Sequence, residues 1–257
     1  MGSKPEPISM GYAGAVRLGV RRSHHGTAIS RRTADGQPYS LFSAMPATDR
    51  DEIVSAAREK PFLPGEAIFL EGDPVRQISL LTSGHVKMTQ LSQNGLEVIL
   101  RVCGPGEIIG VFSDRRLVSH CSSARAMESS MVLVWETDVF EALMSRFPTL
   151  RHNIMQIICE RLSKMEERFR EISTEKVAVR LSKEIVRLLK QVGQSIDGGF
   201  EIRLSREELA QLTGTTVFTV SRLLSMWERR GIVRTQTQNR SVKVSNFQNL
   251  EKLFEQY

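Results

Sequence analysis

The segment 205–233, SREELAQLTGTTVFTVSRLLSMWERRGIV, contains two short helical patterns that meet at Gly214. Ser205 followed by Glu208 has the spacing of a capping box, so we expect the first helix to begin there. Gly214 supplies the backbone freedom for a tight turn, and the Thr216 hydroxyl is suited to cap the second helix. This segment therefore predicts a helix-turn-helix motif.

The second helix of this motif has one apolar face and one mixed face. The side chains expected to pack against the first helix, at Leu209 and Leu212, are Val220, Leu223, Leu224 and Trp227. The mixed face lies near the helix start, where a recognition helix reaches base edges in the major groove. Arg222 is suited to bind guanine through two hydrogen bonds, and Ser221 to bind a base or a phosphate. Phe218 is expected either to contact a thymine methyl group or to pack partly inside the turn.

The region around the motif is basic, as a DNA partner requires. Residues 174–257 contain 14 Lys and Arg against 9 Asp and Glu, so most of the net charge of +6 lies there. An alternating stretch at 232–246 predicts a hairpin after the second helix. The residues predicted to contact DNA are Thr216, Val217, Phe218, Thr219, Ser221 and Arg222, together with the surrounding Arg206, Arg229, Arg230, Arg234 and Arg240.

Residues 60–136 consist of short apolar segments separated by turn signals, such as PGEAIFLEGDP and GPGEIIGVF. Two sets of residues alternate: Val86 with Met88, and Val98 and Leu100 with Val102. Each set is expected to lie on one face of a strand. Asn94-Gly95 predicts a two-residue hairpin turn in which both residues have positive φ. Many short strands with glycine-containing corners predict a jelly roll or barrel.

The period becomes helical over 147–173, where apolar residues recur at alternating steps of three and four. They are Met155, Ile158, Leu162, Met165, Phe169 and Ile172. We call this set the heptad seam, and it predicts a homodimer because such a stripe has to be buried against something. A second stripe, Ile154 and Ile157, is expected to pack on the β-domain of the same chain. The alternative is a helix that lies only on its own domain.

The division of the chain predicted from these patterns has four parts. Residues 1–40 form a disordered basic arm, 41–146 a β-domain, 147–173 the dimerisation helix and 174–257 the DNA-binding domain. The chain has no apolar run of membrane-spanning length and no secretory signal, so we expect a cytoplasmic protein with no membrane partner. Its three cysteines are too scattered for a disulfide framework or a metal site.

This order of parts resembles the cyclic-AMP receptor/fumarate–nitrate regulator (CRP/FNR) superfamily of bacterial transcription factors over residues 40–245. The resemblance is carried by PGEAIFLEGD, LTSGHVKM, GPGEIIG and LAQLTGTTVFTVSRLLSMWERRGIV. It implies an α+β chain with an N-terminal β-roll sensor, a jelly roll like the cyclic nucleotide-binding domain, then a dimerisation helix and a C-terminal winged helix-turn-helix. It further implies a homodimer on a palindromic operator in double-stranded DNA, with RNA polymerase as a further partner and no enzyme activity.

Two positions depart from the family pattern. Many members have Glu-x-x-Ser-Arg in the recognition helix, whereas this chain has Phe218 before Ser221 and Arg222. The carboxylate that would accept a hydrogen bond from cytosine is therefore missing. We expect an operator that differs from the commonest family site at that base pair.

The second departure concerns the signal. Cyclic-nucleotide-binding members hold ribose with Gly-Glu and phosphate with Arg-Ser or Arg-Thr, and this chain has Gly110-Val111 and His120-Cys121 at those places. Neither valine nor a neutral imidazole replaces the missing groups, so cyclic AMP is disfavoured. An N-terminal iron–sulfur cluster is disfavoured because no cysteine precedes Cys103.

Three signals remain open: another small ligand in the β-roll, haem or a gas, or redox chemistry at Cys121. The candidate sensor residues are Gly110, Val111, His120, Cys121, Ser122 and Ser123. His85 and His152 are expected to be structural or surface residues rather than haem ligands.

Two other classes of function compete with this interpretation. A β-roll enzyme of the cupin type needs clustered His and carboxylate ligands, whereas His85 and His120 stand apart in the sequence. The second alternative is a ligand-sensing subunit whose helix-turn-helix docks protein, which the local positive charge and Arg222 disfavour.

Overall fold

The computed structural model describes residues 39–110, 119–196, 199–236, 241–245 and 247–254. These form a β-domain, a long helix and a C-terminal domain, which is the α+β architecture expected from the sequence. The strands of the β-domain are β1 (Arg58–Phe62), β2 (Ala67–Phe69), β3 (Gln77–Ser83), β4 (Val86–Leu91), β5 (Glu97–Cys103), β6 (Ile108–Ile109), β7 (Ser123–Ala126) and β8 (Ser130–Glu136).

The eight strands pair into two antiparallel sheets, with orders β1-β8-β3-β6 and β2-β7-β4-β5. Alternating side chains fill the space between the sheets, as period-two patterning requires. That core contains Phe62, Leu81, Met88, Ile109 and Val134, among others. The opposite face of the first sheet is covered by helices, so the β-domain has an apolar layer on both faces of that sheet.

The predicted two-residue turn at Asn94-Gly95 is wrong. Strands β4 and β5 pair Leu91 with Glu97, so residues 92–96 form a five-residue connection. Gly95 has φ +75°, but no positive φ occurs at Asn94. The Ser92 side chain accepts from the Leu96 N–H, and the Ser92 N–H donates to the Leu96 carbonyl. These bonds stabilise the wider loop.

The predicted alternation of β5 also fails. Met88 pairs with Arg101 and the adjacent Thr89 with Ile99, so a bulge lies at Leu100. A bulge adds one residue to one strand and reverses the faces beyond it. Ile99 and Val102 are consequently buried, whereas Val98 and Leu100 are each 39% exposed.

The predicted disordered arm extends too far, because Tyr39 is buried and Ser40–Phe42 form a 3-10 helix. The Tyr39 hydroxyl donates to the carbonyl of Thr82, which ties this segment to the β-domain. The buried Asn153 side chain donates to the carbonyls of Leu41 and Ser43, both at 2.9 Å. Aromatic burial and these bonds outweigh the entropic cost of ordering the segment. Residues 1–38 of the predicted arm lie outside the described residues.

Three helices pack around the first sheet: α1 (Ala47–Ser55), α2 (Thr137–Arg146) and α3 (Pro148–Thr174). Pro148 starts α3 at a position where the missing N–H costs nothing. Ile154 and Ile157 of α3 are buried with Ile78 and Leu80 of the β-domain, as the second stripe predicts. The described helix is one residue displaced from the predicted 147–173.

The C-terminal domain combines helices with a small sheet. Its elements are α4 (Val177–Val192), β9 (Gln194–Ile196), β10 (Gly199–Ile202), α5 (Arg206–Thr213), α6 (Val217–Arg229), β11 (Val233–Gln236), β12 (Ser241–Val244) and α7 (Phe247–Glu251), with a last 3-10 helix at Lys252–Phe254. The antiparallel pairing of β11 with β12 is the predicted hairpin. Strands β9 and β10, which the sequence patterns did not predict, extend it into a sheet of order β11-β12-β10-β9.

The two domains also touch each other. Ile99 and Val102 of β5 belong to the same apolar cluster as Ile185 of α4 and Leu209 of α5. Across the α3–α4 corner, Arg187 forms an ion pair with the buried Glu171 and lies 3.3 Å from Glu184. The position of the helix-turn-helix is therefore coupled by packing and by charge to the β-domain and α3.

Candidate DNA-binding surface and sensor site

The helix-turn-helix forms by the local interactions that its sequence predicts. The Glu208 N–H donates to the Ser205 hydroxyl at 3.1 Å, and the Ser205 N–H donates to the Glu208 carboxylate at 2.8 Å. Gly214 has φ +61°, a left-handed conformation that glycine adopts without strain. The Thr216 hydroxyl accepts from the Thr219 N–H at 3.2 Å and so caps α6. The predicted capping box, turn and second cap are all confirmed.

The inner face of α6 is fully packed. Leu209 and Leu212 of α5 share one apolar cluster with Val220, Leu223, Leu224 and Trp227 of α6. Burial of four large side chains on one face fixes the rotation of α6 about its axis. The opposite face of the helix, which carries Phe218 and Arg222, consequently points away from the domain.

The outer face of α6 presents the residues predicted to reach bases. Phe218 is 78% exposed and Val217 is 37% exposed. Arg222 is also exposed, one turn further along the same face, and Ser221 is half-buried. The high exposure of Phe218 rules out the alternative that this ring packs inside the turn. An apolar ring and a guanidinium are thus displayed side by side near the start of the helix.

Ser221 belongs to a network that joins three elements. Arg206 of α5 donates to the Ser221 hydroxyl at 3.5 Å and to the Thr235 hydroxyl of β11 at 3.3 Å. Thr235 in turn donates its N–H to Glu228 of α6 at 3.0 Å. Thr235 and Glu228 were not predicted, because no motif connects residues that meet only when the hairpin folds back on α6. The network holds Arg206 between the recognition helix and the hairpin.

The other residues predicted to contact phosphates are arginines near the end of α6 and on the hairpin. Arg229, Arg230 and Arg234 are exposed at the end of α6 and on β11. Arg240 lies outside the described residues. Long exposed cations beside a recognition helix are suited to sequence-independent contacts with a phosphate backbone.

The sensor candidates cluster only in part. The His120 ring stacks on Phe69 with centroids 3.6 Å apart and planes inclined by 8°. A Cβ at Gly110 would lie 2.9 Å from the Phe69 ring and 3.3 Å from the His120 ring. Gly110, Phe69 and His120 therefore form one tightly packed group. Val111 lies outside the described residues.

The remaining sensor candidates make ordinary structural contacts. Cys121 is exposed, and its carbonyl accepts from Gln90 at 2.6 Å. Ser122 is buried, and the Ser123 hydroxyl accepts from the Glu71 N–H at 2.9 Å. Burial raises the pKa of the Cys103 thiol to about 12, so this thiol stays protonated at neutral pH.

Burial lowers the pKa of His120, an effect that the charge of Asp73 partly opposes. The imidazole is therefore neutral at pH 7. A neutral ring stacked on Phe69 provides no charged fork for a phosphate, in contrast to the arginine that the family resemblance leads one to expect at this position.

Arg161 connects this group to helix α3. Its guanidinium donates to the Gly110 carbonyl at 3.0 Å and also to the Ile108 carbonyl. Burial, with a smaller contribution from the nearby Arg101, lowers the pKa of Arg161 to about 10. The group remains charged at neutral pH. Arg161 was not predicted, because its position on α3 flanks the heptad seam and resembles a solvated charge.

The heptad seam is exposed to solvent in the single chain. Its six residues, Met155, Ile158, Leu162, Met165, Phe169 and Ile172, are 39–74% exposed. The chain's own β-domain therefore does not cover them, and dimerisation stays a prediction. Of the two other histidines considered, His85 is buried with Nδ1 2.5 Å from Glu128, and His152 is exposed on α3.

Two further features bear on the class of protein. Within the described ranges, no helix is long and apolar enough to span a bilayer. Over the same residues, no group of three or more His, Cys, Asp and Glu side chains is arranged to hold a metal ion.

Comparison with known proteins assigns both halves of the chain. Residues 59–147 match the cyclic nucleotide-binding domain family, and residues 179–253 match the Crp-like helix-turn-helix domain family. Electron transport regulator A of Shewanella oneidensis is 30% identical over 77% of this chain and 79% of its own length. The cyclic AMP receptor protein of Thermus thermophilus is 30% identical over 76% of this chain and 88% of its own.

Solved structures show the same fold. The structure of FixK2 from Bradyrhizobium japonicum has a TM-score of 0.67 at 22% identity and covers 77% of this chain and 96% of that one. The two named relatives are a regulator and a receptor protein, in agreement with the prediction that the chain is not an enzyme. The chain belongs to the CRP/FNR superfamily of transcriptional regulators.

Proposed function

We propose that this DNA-binding regulator acts as a homodimer on a palindromic operator, and that an event in the β-domain other than cyclic AMP binding switches it. The observation that carries the proposal is the outer face of α6, where Phe218 and Arg222 are exposed beside the positioned Arg206. The proposal includes RNA polymerase as a further partner, as the family resemblance implies. The proposal includes a cytoplasmic location, where bacterial DNA lies.

In this proposal the α6 residues have separate roles. Arg222 forms two hydrogen bonds with a guanine, and Phe218 contacts a thymine methyl group in the same half-site. Arg206, held between Ser221 and Thr235, approaches the phosphate backbone together with Arg229, Arg230 and Arg234. Ser221 keeps its own hydroxyl proton available for a base or phosphate, because it accepts from Arg206.

In this proposal, pairing of two chains through the heptad seam brings a second recognition helix to the DNA. Two copies that pair along α3 are related by a two-fold axis, so the half-sites of the operator form an inverted repeat. Their centres lie about 34–36 Å apart when two recognition helices enter successive major grooves. A signal that alters how α3 meets the β-domain changes this spacing and shifts the population between binding and non-binding dimers.

The lack of a charged phosphate partner at His120 supports the exclusion of cyclic AMP. His120 stacks on Phe69 and its pKa is lowered by burial, so it does not replace the guanidinium of cyclic-nucleotide-binding members. A different small ligand, haem or a gas, or oxidation of the exposed Cys121 are the signals that we retain.

The direct test is to mix the purified full-length protein with fragmented genomic DNA and to sequence what it retains. We expect an enriched inverted repeat whose binding weakens about 10³–10⁵-fold between 50 and 200 mM salt, as phosphate contacts require. An absorption spectrum recorded first would reveal bound haem. Retention of no sequence motif in any redox state, or salt-independent binding to a protein partner, would contradict the proposal.

A further inference from the structure

A cavity of about 270 Å³ lies between the two sheets of the β-domain, next to the Phe69–His120 stack. Lys60 and Phe62 of β1, Ser79 of β3 and Val134 of β8 line one side. Ile68 and Phe69 of β2 line the other side, and the turn that contains Asp73 and Arg76 borders the opening. Of the described sensor candidates, only His120 lines this cavity. The cavity therefore shares His120 with the positions that the family pattern indicates, whereas Gly110 and Cys121 do not line it.

His120 provides evidence that the cavity is built for a ligand. The side chain is 5% exposed, and among the described residues no group makes a hydrogen bond with its Nδ1 atom. Buried polar atoms in folded proteins are almost always paired, and an unpaired one requires an explanation. If this side chain only filled space, an apolar ring would do so without the free-energy cost of burying an unpaired polar nitrogen.

The charges at the opening favour an anion. Lys60 and Arg76 are both exposed, and in the described part of the chain neither forms an ion pair. The nearby Asp73 carboxylate accepts from the Leu70 N–H at 2.7 Å and keeps its negative charge, which also acts on His120. Two positive charges, Lys60 and Arg76, therefore lie at the cavity against the single negative charge of Asp73.

The apolar walls of the cavity favour a ligand that has an apolar part in addition to its negative charge. Phe62, Ile68, Phe69 and Val134 contribute aromatic and aliphatic side chains to the lining. Small-molecule sites typically combine such walls with a few polar groups that fix orientation. The volume of about 270 Å³ is sufficient for a single-ring compound.

We propose that this cavity binds a small aromatic carboxylate, with its carboxylate at Lys60 and Arg76 and its ring between the sheets beside Phe69 and His120. The ligand then contacts the His120–Phe69–Gly110 group, and Arg161 of α3 is bonded to the Gly110 carbonyl. Occupancy is thereby transmitted to the dimerisation helix. This regulatory consequence rests on the proposed function, whereas the binding itself does not.

Isothermal titration of the full-length protein with benzoate tests the site. We expect one benzoate per chain and at least about 10-fold weaker binding of benzyl alcohol, which has the ring without the charge. Arg76→Gln and Lys60→Gln are each expected to weaken benzoate binding about 5–10-fold. Both side chains are exposed, so the variants should fold normally, which thermal unfolding verifies. Arg203→Gln, an exposed arginine in the other domain, serves as the matched control and should leave binding unchanged.

Several outcomes would overturn the site: no heat with millimolar benzoate, unchanged affinity in both variants, or equal binding of inorganic phosphate, which has charge without a ring. Operator binding is measured separately on the DNA recovered from the genome. A protein that binds DNA but not benzoate contradicts only the cavity site, and one that binds benzoate but no DNA contradicts only the proposed function.

Discussion

Helices α3 and α6 both expose apolar side chains, but they do so in different amounts and places. On α3 the six exposed seam residues extend along about two thirds of the helix, from Met155 to Ile172. On α6 only Val217 and Phe218 are exposed, both in the first turn, while the rest of its apolar residues are packed against α5 and the sheet.

This difference indicates two kinds of partner. A continuous stripe of six side chains needs an apolar surface of equal length, and a second copy of the same stripe provides one. A single ring beside an arginine needs only a small apolar group next to a hydrogen-bonding edge, which a base pair in the major groove provides. Substitutions on each surface test this distinction.

A charge in the middle of the heptad seam should have the largest effect of these substitutions, a loss of dimerisation affinity. We expect Leu162→Glu to weaken dimerisation by more than about 100-fold, because two carboxylates and a lost apolar contact meet at the two-fold axis. The protomer should stay folded, since Leu162 is 56% exposed in it. Sedimentation equilibrium measures the change, and Glu160→Gln, an exposed substitution outside the seam, is the control. An unaltered dimer would show that the seam is not the interface.

Loss of the Arg222 guanidinium on α6 should have the second-largest effect, a loss of operator affinity. Arg222→Ala should cost about 1–3 kcal/mol on the operator and relax the preference at one base pair in each half-site. Binding assays on operators with every base at that position measure both effects. Equal losses on operator and random duplex would contradict the role of Arg222 in base recognition.

A carboxylate in place of the ring should change specificity more than affinity. Phe218→Glu restores the acceptor that many family members have, so we expect the preferred base pair to change to one that presents a cytosine amino group. The difference between old and new operators should be about 10-fold, measured by competition between the two duplexes. Phe218→Leu keeps an apolar side chain and should retain the original base-pair preference. If Phe218→Leu changed the preferred base pair as much as Phe218→Glu does, the proposed contact with a thymine methyl group would be contradicted.

The smallest change in DNA affinity is expected for a substitution on β11. Arg234→Ala should weaken binding to all sequences alike by a few-fold and lower the slope of log affinity against log salt by about 1. Titrations of operator and random duplex at several salt concentrations measure it. A selective loss on the operator would mean that the hairpin contacts bases.

Features set by neighbouring residues were predictable from the sequence. The capping box at Ser205, the turn at Gly214 and the cap at Thr216 each depend on residues within four positions. The buried stripe at Ile154 and Ile157 and the exposed seam follow from helical periodicity alone.

Features that depend on distant strands were not predictable. The bulge at Leu100 and the five-residue loop at 92–96 follow from how β5 aligns with β4, which the alternation of apolar residues does not determine. The end of the N-terminal arm depends on Asn153, more than a hundred residues away in sequence. In the same way, Arg206, Ser221 and Thr235 meet only in the folded domain.

The central claim is that two copies of α6 act together, held by the seams of two α3 helices. Native mass spectrometry of the protein on the recovered inverted repeat, beside a duplex with one half-site scrambled, tests it most directly. We predict two chains per intact duplex and at least about 100-fold weaker binding to the scrambled one. One chain per duplex, with equal affinity for both, would contradict the account.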